Sequence, residues 1–135
     1  MQLQFQFNDG GRHKYYKATN VGDCVTRAIA IATKMDYKEV YNLIKRYTKD
    51  SPRNGVRKTI IKRIMKDLGY EWIPTMAIGS GCTTHLAYGE IPMDKTIICS
   101  CSGHLVAVIN GVVNDTYDCT RGASRCVYGY WIIKY

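Results

Sequence analysis

The sequence predicts an α+β fold in which N-terminal helices pack on a C-terminal antiparallel β-sheet. Between residues 23 and 68, apolar residues recur at helical spacing in three segments. Beyond residue 69, segments rich in β-branched and aromatic residues alternate with turn residues. The chain has 135 residues without a linker, a repeat or a low-complexity tract, so we expect one domain over residues 1–135.

The three predicted helices have recognisable ends. Asp23 is expected to cap the first helix, DCVTRAIAIATK, and Asp36 to cap a second over residues 37–47. A third helix is expected from about residue 56 to residue 68, because Gly69 then ends the pattern.

One predicted strand precedes these helices in the sequence, and the other strands follow them. Residues 3–7 (LQFQF) alternate apolar and polar side chains, which indicates a half-buried strand. The later strands are expected in YEWIPT, KTIICSCS, HLVAVI, VVNDTY and CVYGYWIIKY. Asn110-Gly111 joins two of them and predicts a two-residue hairpin with a type I′ turn.

Cys24 is the candidate nucleophile because it is expected in the first turn of the first helix. A helix N-terminus carries partial positive charge and free N–H groups, which stabilise a thiolate and lower its pKa. The same N–H groups suit an oxyanion in an acyl-transfer reaction. The alternative interpretation is that Cys24 is one more small buried side chain.

His104 is the candidate base among three histidines. It follows Ser102-Gly103 and opens HLVAVI, so its ring can face a cleft while the rest of the strand is packed. A hydrogen-bonded core histidine is the alternative. His13 lies in a basic loop and His85 in a loop rich in Gly and Thr.

The register of the predicted hairpin selects Asp115 as the third member. A two-residue turn pairs Val106 with Asp115 and His104 with Tyr117. Asp115 therefore lies diagonal to His104 on the same face, within reach of its ring, whereas Asn114 falls on the opposite face. A carboxylate there would orient the imidazole.

Two segments resemble the papain-like cysteine peptidases. NVGDCVTRAI, residues 20–29, is similar to the nucleophile segment of ovarian-tumour-type deubiquitinases and of the peptidases that trim double-glycine leaders. GHLVAV, residues 103–108, together with Asp115 resembles their histidine and aspartate strands. Small bacteriophage and bacterial proteins share the Asp-Cys helix and the Gly-His-Leu hairpin. The resemblance implies a papain-like fold and a Cys-His-Asp triad acting on a peptide, isopeptide or related acyl bond.

The chain departs from these families just before the cysteine. Leader peptidases have a glutamine six residues before it, where this chain has Ala18, and ovarian-tumour-type enzymes have an aspartate where it has Val21. We expect Asn20, the nearest amide, and Asp23 to serve the oxyanion hole or substrate binding; the alternative is an oxyanion hole formed by backbone N–H groups alone.

The cysteines are expected to be reduced and free of metal. The N-terminus lacks the pattern of an export signal, and the chain is long enough to fold without disulfides. A rival interpretation is that metal ligands are provided by Cys82, His85, Cys99, Cys101, Cys119 and Cys126, but the sequence lacks the paired Cys-x2–4-Cys knuckles typical of zinc sites. We expect no metal and no cofactor.

The formal net charge is +8, and much of it lies between residues 34 and 66. Such an excess can attract nucleic acid, an acidic protein or an anionic surface, or can simply be solvated. We favour a protein or peptide substrate over nucleic acid because the tyrosines do not alternate with basic residues. No membrane partner is expected, and we expect a cytoplasmic location, in the host cytoplasm if a phage encodes the chain. The functional alternative is a non-catalytic papain-like binding module, either a viral inhibitor or a nucleic-acid binder using its basic helices.

Overall fold

A computed structural model describes residues 2–17, 22–49, 51–52, 55–77 and 79–133. It shows a mixed α+β fold with three α-helices and a six-stranded sheet whose strand order is β1-β5-β4-β3-β6-β2. In the part of the chain covered by these ranges, no helix has the length and apolar character needed to cross a membrane.

The helices lie where the sequence predicts them. They are α1 (Cys24–Thr33), α2 (Tyr37–Thr48) and α3 (Lys58–Asp67), and a short 3₁₀-helix precedes them at Arg12–Lys14. Asp36 caps α2 as predicted, since its carboxylate accepts a hydrogen bond of 3.1 Å from the Lys38 N–H. Asp23 holds the N-cap position of α1, but its side chain accepts no hydrogen bond from the helix backbone.

The sheet is mixed, because its first strand runs parallel to its neighbour. The strands are β1 (Gln4–Phe7), β2 (Tyr70–Pro74), β3 (Thr96–Cys101), β4 (His104–Ile109), β5 (Val112–Asp115) and β6 (Val127–Ile133). β1 pairs with β5 in parallel, and every other neighbouring pair is antiparallel. The predicted antiparallel sheet is therefore correct for five strands and wrong for β1.

The prediction that β1 is half-buried is also wrong. Phe5 and Phe7 are 39% and 61% exposed. The reason is the position of β1 at the sheet edge: α1 packs on β3, β4 and β5, and the edge strand lies beyond it. Leu3, just before the strand, is the buried apolar residue of this segment.

The Asn110-Gly111 hairpin has the predicted register. Ile109 pairs with Val112 and Val108 with Val113, which confirms a two-residue loop. Asn110 and Gly111 have φ values of 49° and 77°, the positive pair that a type I′ turn requires. This register fixes which β5 side chains share a face with the β4 side chains.

The sheet separates two apolar clusters. Ile98 and Leu105 point toward the helices, where they pack with α1 and α3, while the neighbouring Ile97 and Val106 belong to the cluster on the opposite face. This alternation is expected for strands that are covered on both faces. The interiors of these strands are therefore packed on both faces, whereas His104 and Asp115 lie at strand ends.

The structure contains a disulfide between Cys82 and Cys126, so the prediction that these two cysteines are reduced is wrong. Backbone hydrogen bonds around the β-bridge between His85 and Cys126 hold the two segments side by side. The Cα atoms of Cys82 and Cys126 are therefore 5.8 Å apart, a separation that a disulfide spans. The tertiary fold places these two thiols together, and sequence patterns do not encode that proximity. The other four cysteines are free thiols, as predicted: Cys24, Cys99, Cys101 and Cys119.

This disulfide predicts the outcome of a thiol titration. In guanidinium chloride without reductant, the protein should expose four titratable thiols, and after reduction all six. The measurement is Ellman titration. The protein is acidified rapidly during purification, so that its thiols neither oxidise nor exchange before they are titrated. Six thiols before reduction would contradict the Cys82–Cys126 bond, and Cys82→Ser should give five thiols both before and after reduction, because it frees the Cys126 thiol.

Candidate active site

Cys24 is the first residue of α1 and is partly exposed. The first backbone hydrogen bond of the helix runs from the Arg27 N–H to the Asp23 carbonyl at 3.0 Å. The N–H groups of Cys24, Val25 and Thr26 precede this ladder, as they do at the start of every α-helix. The thiol therefore lies at the positive end of the helix dipole, beside backbone donors.

His104 and Asp115 form a short, buried hydrogen bond. The distance from His104 Nε2 to Asp115 Oδ2 is 2.6 Å, and both side chains are nearly inaccessible to solvent. His104 is the first residue of β4, and Arg125 supports the turn before it by donating to the Ser102 carbonyl at 2.6 Å. An ionised carboxylate accepts here, so the ring nitrogen that faces Asp115 carries the proton.

Asp115 is held in its charged form. Its second oxygen accepts hydrogen bonds from the Thr116 N–H at 2.7 Å and from Arg27 Nη2 at 3.2 Å. Burial alone raises the pKa of this carboxyl, but the hydrogen bond and charge of His104, the Thr116 N–H and the charge of Arg27 lower it below its usual value. Asp115 can therefore stabilise a charged imidazole.

Cys24 and His104 favour the thiolate–imidazolium pair. Burial raises the pKa of Cys24, but the hydrogen bond with His104, the Leu105 N–H and the charges of His104 and Arg27 outweigh it, so the pKa is lowered. For His104, burial lowers the pKa, but Asp115, Cys119 and Cys24 raise it well above the usual range. At neutral pH the thiol is thus ionised more readily than a free cysteine, and the imidazole retains its proton.

A second thiol, that of Cys119, also lies beside His104, whereas the sequence suggested Cys119 only as a possible metal ligand. It is 1% exposed, and burial raises its pKa despite the hydrogen bond with His104. A buried, protonated thiol is a poor nucleophile, because the thiolate is the reactive form. Of the two thiols hydrogen-bonded to the ring, Cys24 has both the exposure and the lowered pKa that nucleophilic attack needs.

Asp23 has a different role from the predicted one. Its carboxylate is 0% exposed and accepts hydrogen bonds from Arg12 at 3.1 Å, from Tyr37 at 2.7 Å and from Arg27. These donors direct it into the core, so we correct its assignment to substrate binding: Asp23 is a buried anchor for two arginines. Asn20, also predicted for the oxyanion hole, lies outside the described residues.

An open cleft of about 310 Å³ lies over the thiol. It runs between α3 and the sheet, and Cys24 and His104 both line it. Most of its other lining side chains are apolar or aromatic. A substrate group bound there would lie against the sulfur and the imidazole ring.

Two groups of described residues bring potential metal ligands within 4.8 Å of one another: Cys82 with His85 and Cys126, and His104 with Asp115 and Cys119. In the first group the two sulfurs are joined as a disulfide. In the second, the 2.6 Å between His104 Nε2 and Asp115 Oδ2 fits a direct hydrogen bond. Nitrogen and oxygen ligands of one tetrahedral zinc ion would be about 3.3 Å apart, so these two atoms are too close together to bind the same zinc ion.

Comparisons of the chain with protein-family models, with curated proteins and with solved structures give no match. The chemistry of the site therefore has to be argued from its own residues.

The structure brings together the three side chains selected from the sequence as nucleophile, base and orienting acid: Cys24, His104 and Asp115. The supporting residues were missed. Asp23 and Arg27 are four residues apart on one helix face, a spacing that predicts their ion pair. Arg12 and Tyr37 give no such signal, because their contacts with Asp23 depend on the tertiary fold.

The opposed pKa shifts predict a pH profile for Cys24. Because its pKa is lowered, its alkylation by iodoacetamide should stay fast well below pH ~8.5, the usual pKa of a cysteine, and should slow only as the pH falls through the lowered value. In His104→Ala, Cys24 loses the hydrogen bond and the charge that oppose the effect of burial. The pKa of Cys24 should therefore rise, and the alkylation profile should shift to higher pH. Mass spectrometry of the labelled cysteine at each pH measures both profiles.

The matched control variants each remove one of the two thiols that are hydrogen-bonded to the ring. Cys24→Ala should remove the fast reaction, and Cys119→Ser should preserve it. A fast reaction that persists in Cys24→Ala, or a Cys24 that titrates like a free thiol, would contradict the thiolate–imidazolium pair.

The buried anchor predicts a large loss of stability. Asp23→Ala leaves Arg12 and Arg27 buried without their shared carboxylate, which should lower the free energy of unfolding by about 3–5 kcal/mol. The control is Asp67→Ala, which removes an exposed hydrogen bond with Tyr47 and should cost about 0.5 kcal/mol or less. Urea unfolding measures both, and equal small losses would contradict the anchoring role of Asp23.

Proposed function

We propose that the protein is a cysteine hydrolase in which Cys24 is the nucleophile, His104 the proton donor and acceptor, and Asp115 the residue that orients His104. One observation carries this proposal. The His104 ring is fixed to a buried carboxylate at 2.6 Å while it interacts with a partly exposed thiol of lowered pKa in an open cleft. A merely structural histidine needs neither the thiolate nor the cleft.

The proposed reaction has two steps. The Cys24 thiolate attacks the substrate carbonyl carbon and forms a C–S bond, while the carbonyl electrons move to oxygen. The intermediate collapses, the C–N bond breaks, and the leaving amine takes the proton from His104, which gives a thioester. His104 then removes a proton from water, whose oxygen attacks the thioester. The C–S bond then breaks, and the products are a carboxylic acid and the Cys24 thiolate beside the protonated His104.

The start of α1 supports stabilisation of the oxyanion. The N–H groups of Cys24 and Val25 precede the helical hydrogen-bond ladder, and the helix dipole places partial positive charge there. Backbone donors of this kind lower the barrier most when they point to where the negative charge develops. We propose that they form the oxyanion hole.

The resemblance to papain-like peptidases agrees with this assignment and suggests a peptide, isopeptide or related acyl bond in a protein or peptide substrate. The alternative is a non-catalytic module of papain-like fold that binds a partner through its basic helices. The thiol distinguishes the two, because a binding module has no need for an ionised Cys24 beside His104.

The experiment is turnover of a fluorogenic peptide-amide library by four proteins. Cys24→Ala should abolish turnover because the nucleophile is gone. His104→Ala should lower kcat by about 10²–10⁴-fold. Asp115→Ala should lower it by less, because a misoriented imidazole still reaches the sulfur in part of the population. Equal turnover by wild type and Cys24→Ala would rule out the mechanism.

A further inference from the structure

The cleft over Cys24 has an apolar floor. Trp72 and Trp131 pack with ring centroids 4.4 Å apart where β2 pairs with β6. Gly129 shapes this floor, because a Cβ atom there would lie 2.3 Å from Trp72 Cζ2. The indole therefore lies directly against the β6 backbone. The apolar side chains that line the cleft are Val25, Val56, Ile61, Trp72, Leu105 and Trp131.

Two lysines stand beside this floor. Lys58 and Lys62 both line the cleft, and both are exposed. They are four residues apart on α3, so their side chains lie on the same helix face. The described lining contains no carboxylate, and neither ammonium forms a salt bridge with any residue that the structure describes. The cleft thus attracts a negative group next to an apolar one.

The aromatic rings of the cleft are already occupied. Lys58 Nζ lies 5.5 Å from the centroid of the Tyr128 ring, and Trp131 is 5% exposed and packs against Trp72. Binding of single-stranded nucleic acid depends on open aromatic faces on which bases stack. A side chain that inserts among the apolar groups fits this cleft better than a stacked base.

We infer that the segment recognised by the cleft is an acidic peptide in which a bulky apolar side chain is adjacent to Asp or Glu. The apolar side chain occupies the floor between α3 and the tryptophans, and the carboxylate pairs with Lys58 and Lys62. This inference rests on the proposed function, because the same cleft leads to Cys24. It adds a specificity that the Cys-His-Asp arrangement does not determine.

The test is binding of fluorescein-labelled peptides to the Cys24→Ala protein, followed by fluorescence anisotropy. The reference peptides carry Phe-Glu or Glu-Phe between flanking Gly and Ser residues, so that either direction of binding is covered. Replacing Glu by Lys, or Phe by Gly, should weaken binding of the better reference peptide by about tenfold, given two exposed charge pairs and one buried side chain.

Charge reversal on α3 supplies the matched variants. K58E/K62E should reverse the preference, so that the Lys peptide binds more tightly than the Glu peptide. R63E/K66E changes the net charge equally on the same helix but outside the cleft lining, and should keep the preference for Glu.

Three results would overturn the inference: no difference between the Glu and Lys peptides, the same loss of preference in both double variants, or tighter binding of a mixed-sequence RNA oligomer than of any peptide. The last result would favour nucleic acid as the ligand. The proposed function is tested separately by the iodoacetamide reactivity of wild-type Cys24. An activated thiol with no peptide preference would overturn the specificity alone, and a preference without an activated thiol would overturn the hydrolase alone.

Discussion

The site depends on a buried chain of charges that runs from Asp23 through Arg27 to Asp115. Arg27 contacts both carboxylates, with one amino group on Asp23 and the other on Asp115. Charges with so little access to water are costly to bury unless each has a partner. Arg12 and Tyr37 complete the coordination of Asp23, so the segment before α1, the helix itself and strand β5 are tied together at one point.

This chain of charges also positions Cys24 and His104 relative to one another. Cys24 follows Asp23 in sequence, and His104 is bound to Asp115, so Arg27 bridges the anchors of both. With the thiol ionised and the imidazole protonated, positive and negative groups balance one to one. The positive groups are Arg12, Arg27 and His104, and the negative groups are Asp23, Asp115 and Cys24. A neutral thiol and a neutral imidazole would give the same total, but the shifted pKa values favour the charged pair.

Local patterns predicted much of this arrangement. Helical spacing located the start of α1 at Cys24, and the turn chemistry of Asn110-Gly111 was enough to choose Asp115 over Asn114. The remainder depends on contacts between distant parts of the chain, which single-sequence patterns do not encode. The disulfide joins residues 44 positions apart, and the parallel pairing of β1 with β5 joins segments that are more than a hundred residues apart. The burial of Asp23 also follows from tertiary contacts, although its position before a helix suggested a cap.

The parallel pairing of β1 with β5 has a consequence for biosynthesis. β1 leaves the ribosome before the other strands of the sheet, yet its neighbour comes more than a hundred residues later, as the register of Phe7 with Asp115 shows. The contact between Arg27 and Asp115 spans 88 residues and must also wait. Contacts of such long sequence separation form slowly, because a large loop must close first. The nascent chain therefore presents Cys24 without His104 and Asp115, and the thiol acquires the contacts that lower its pKa only after both residues have been synthesised.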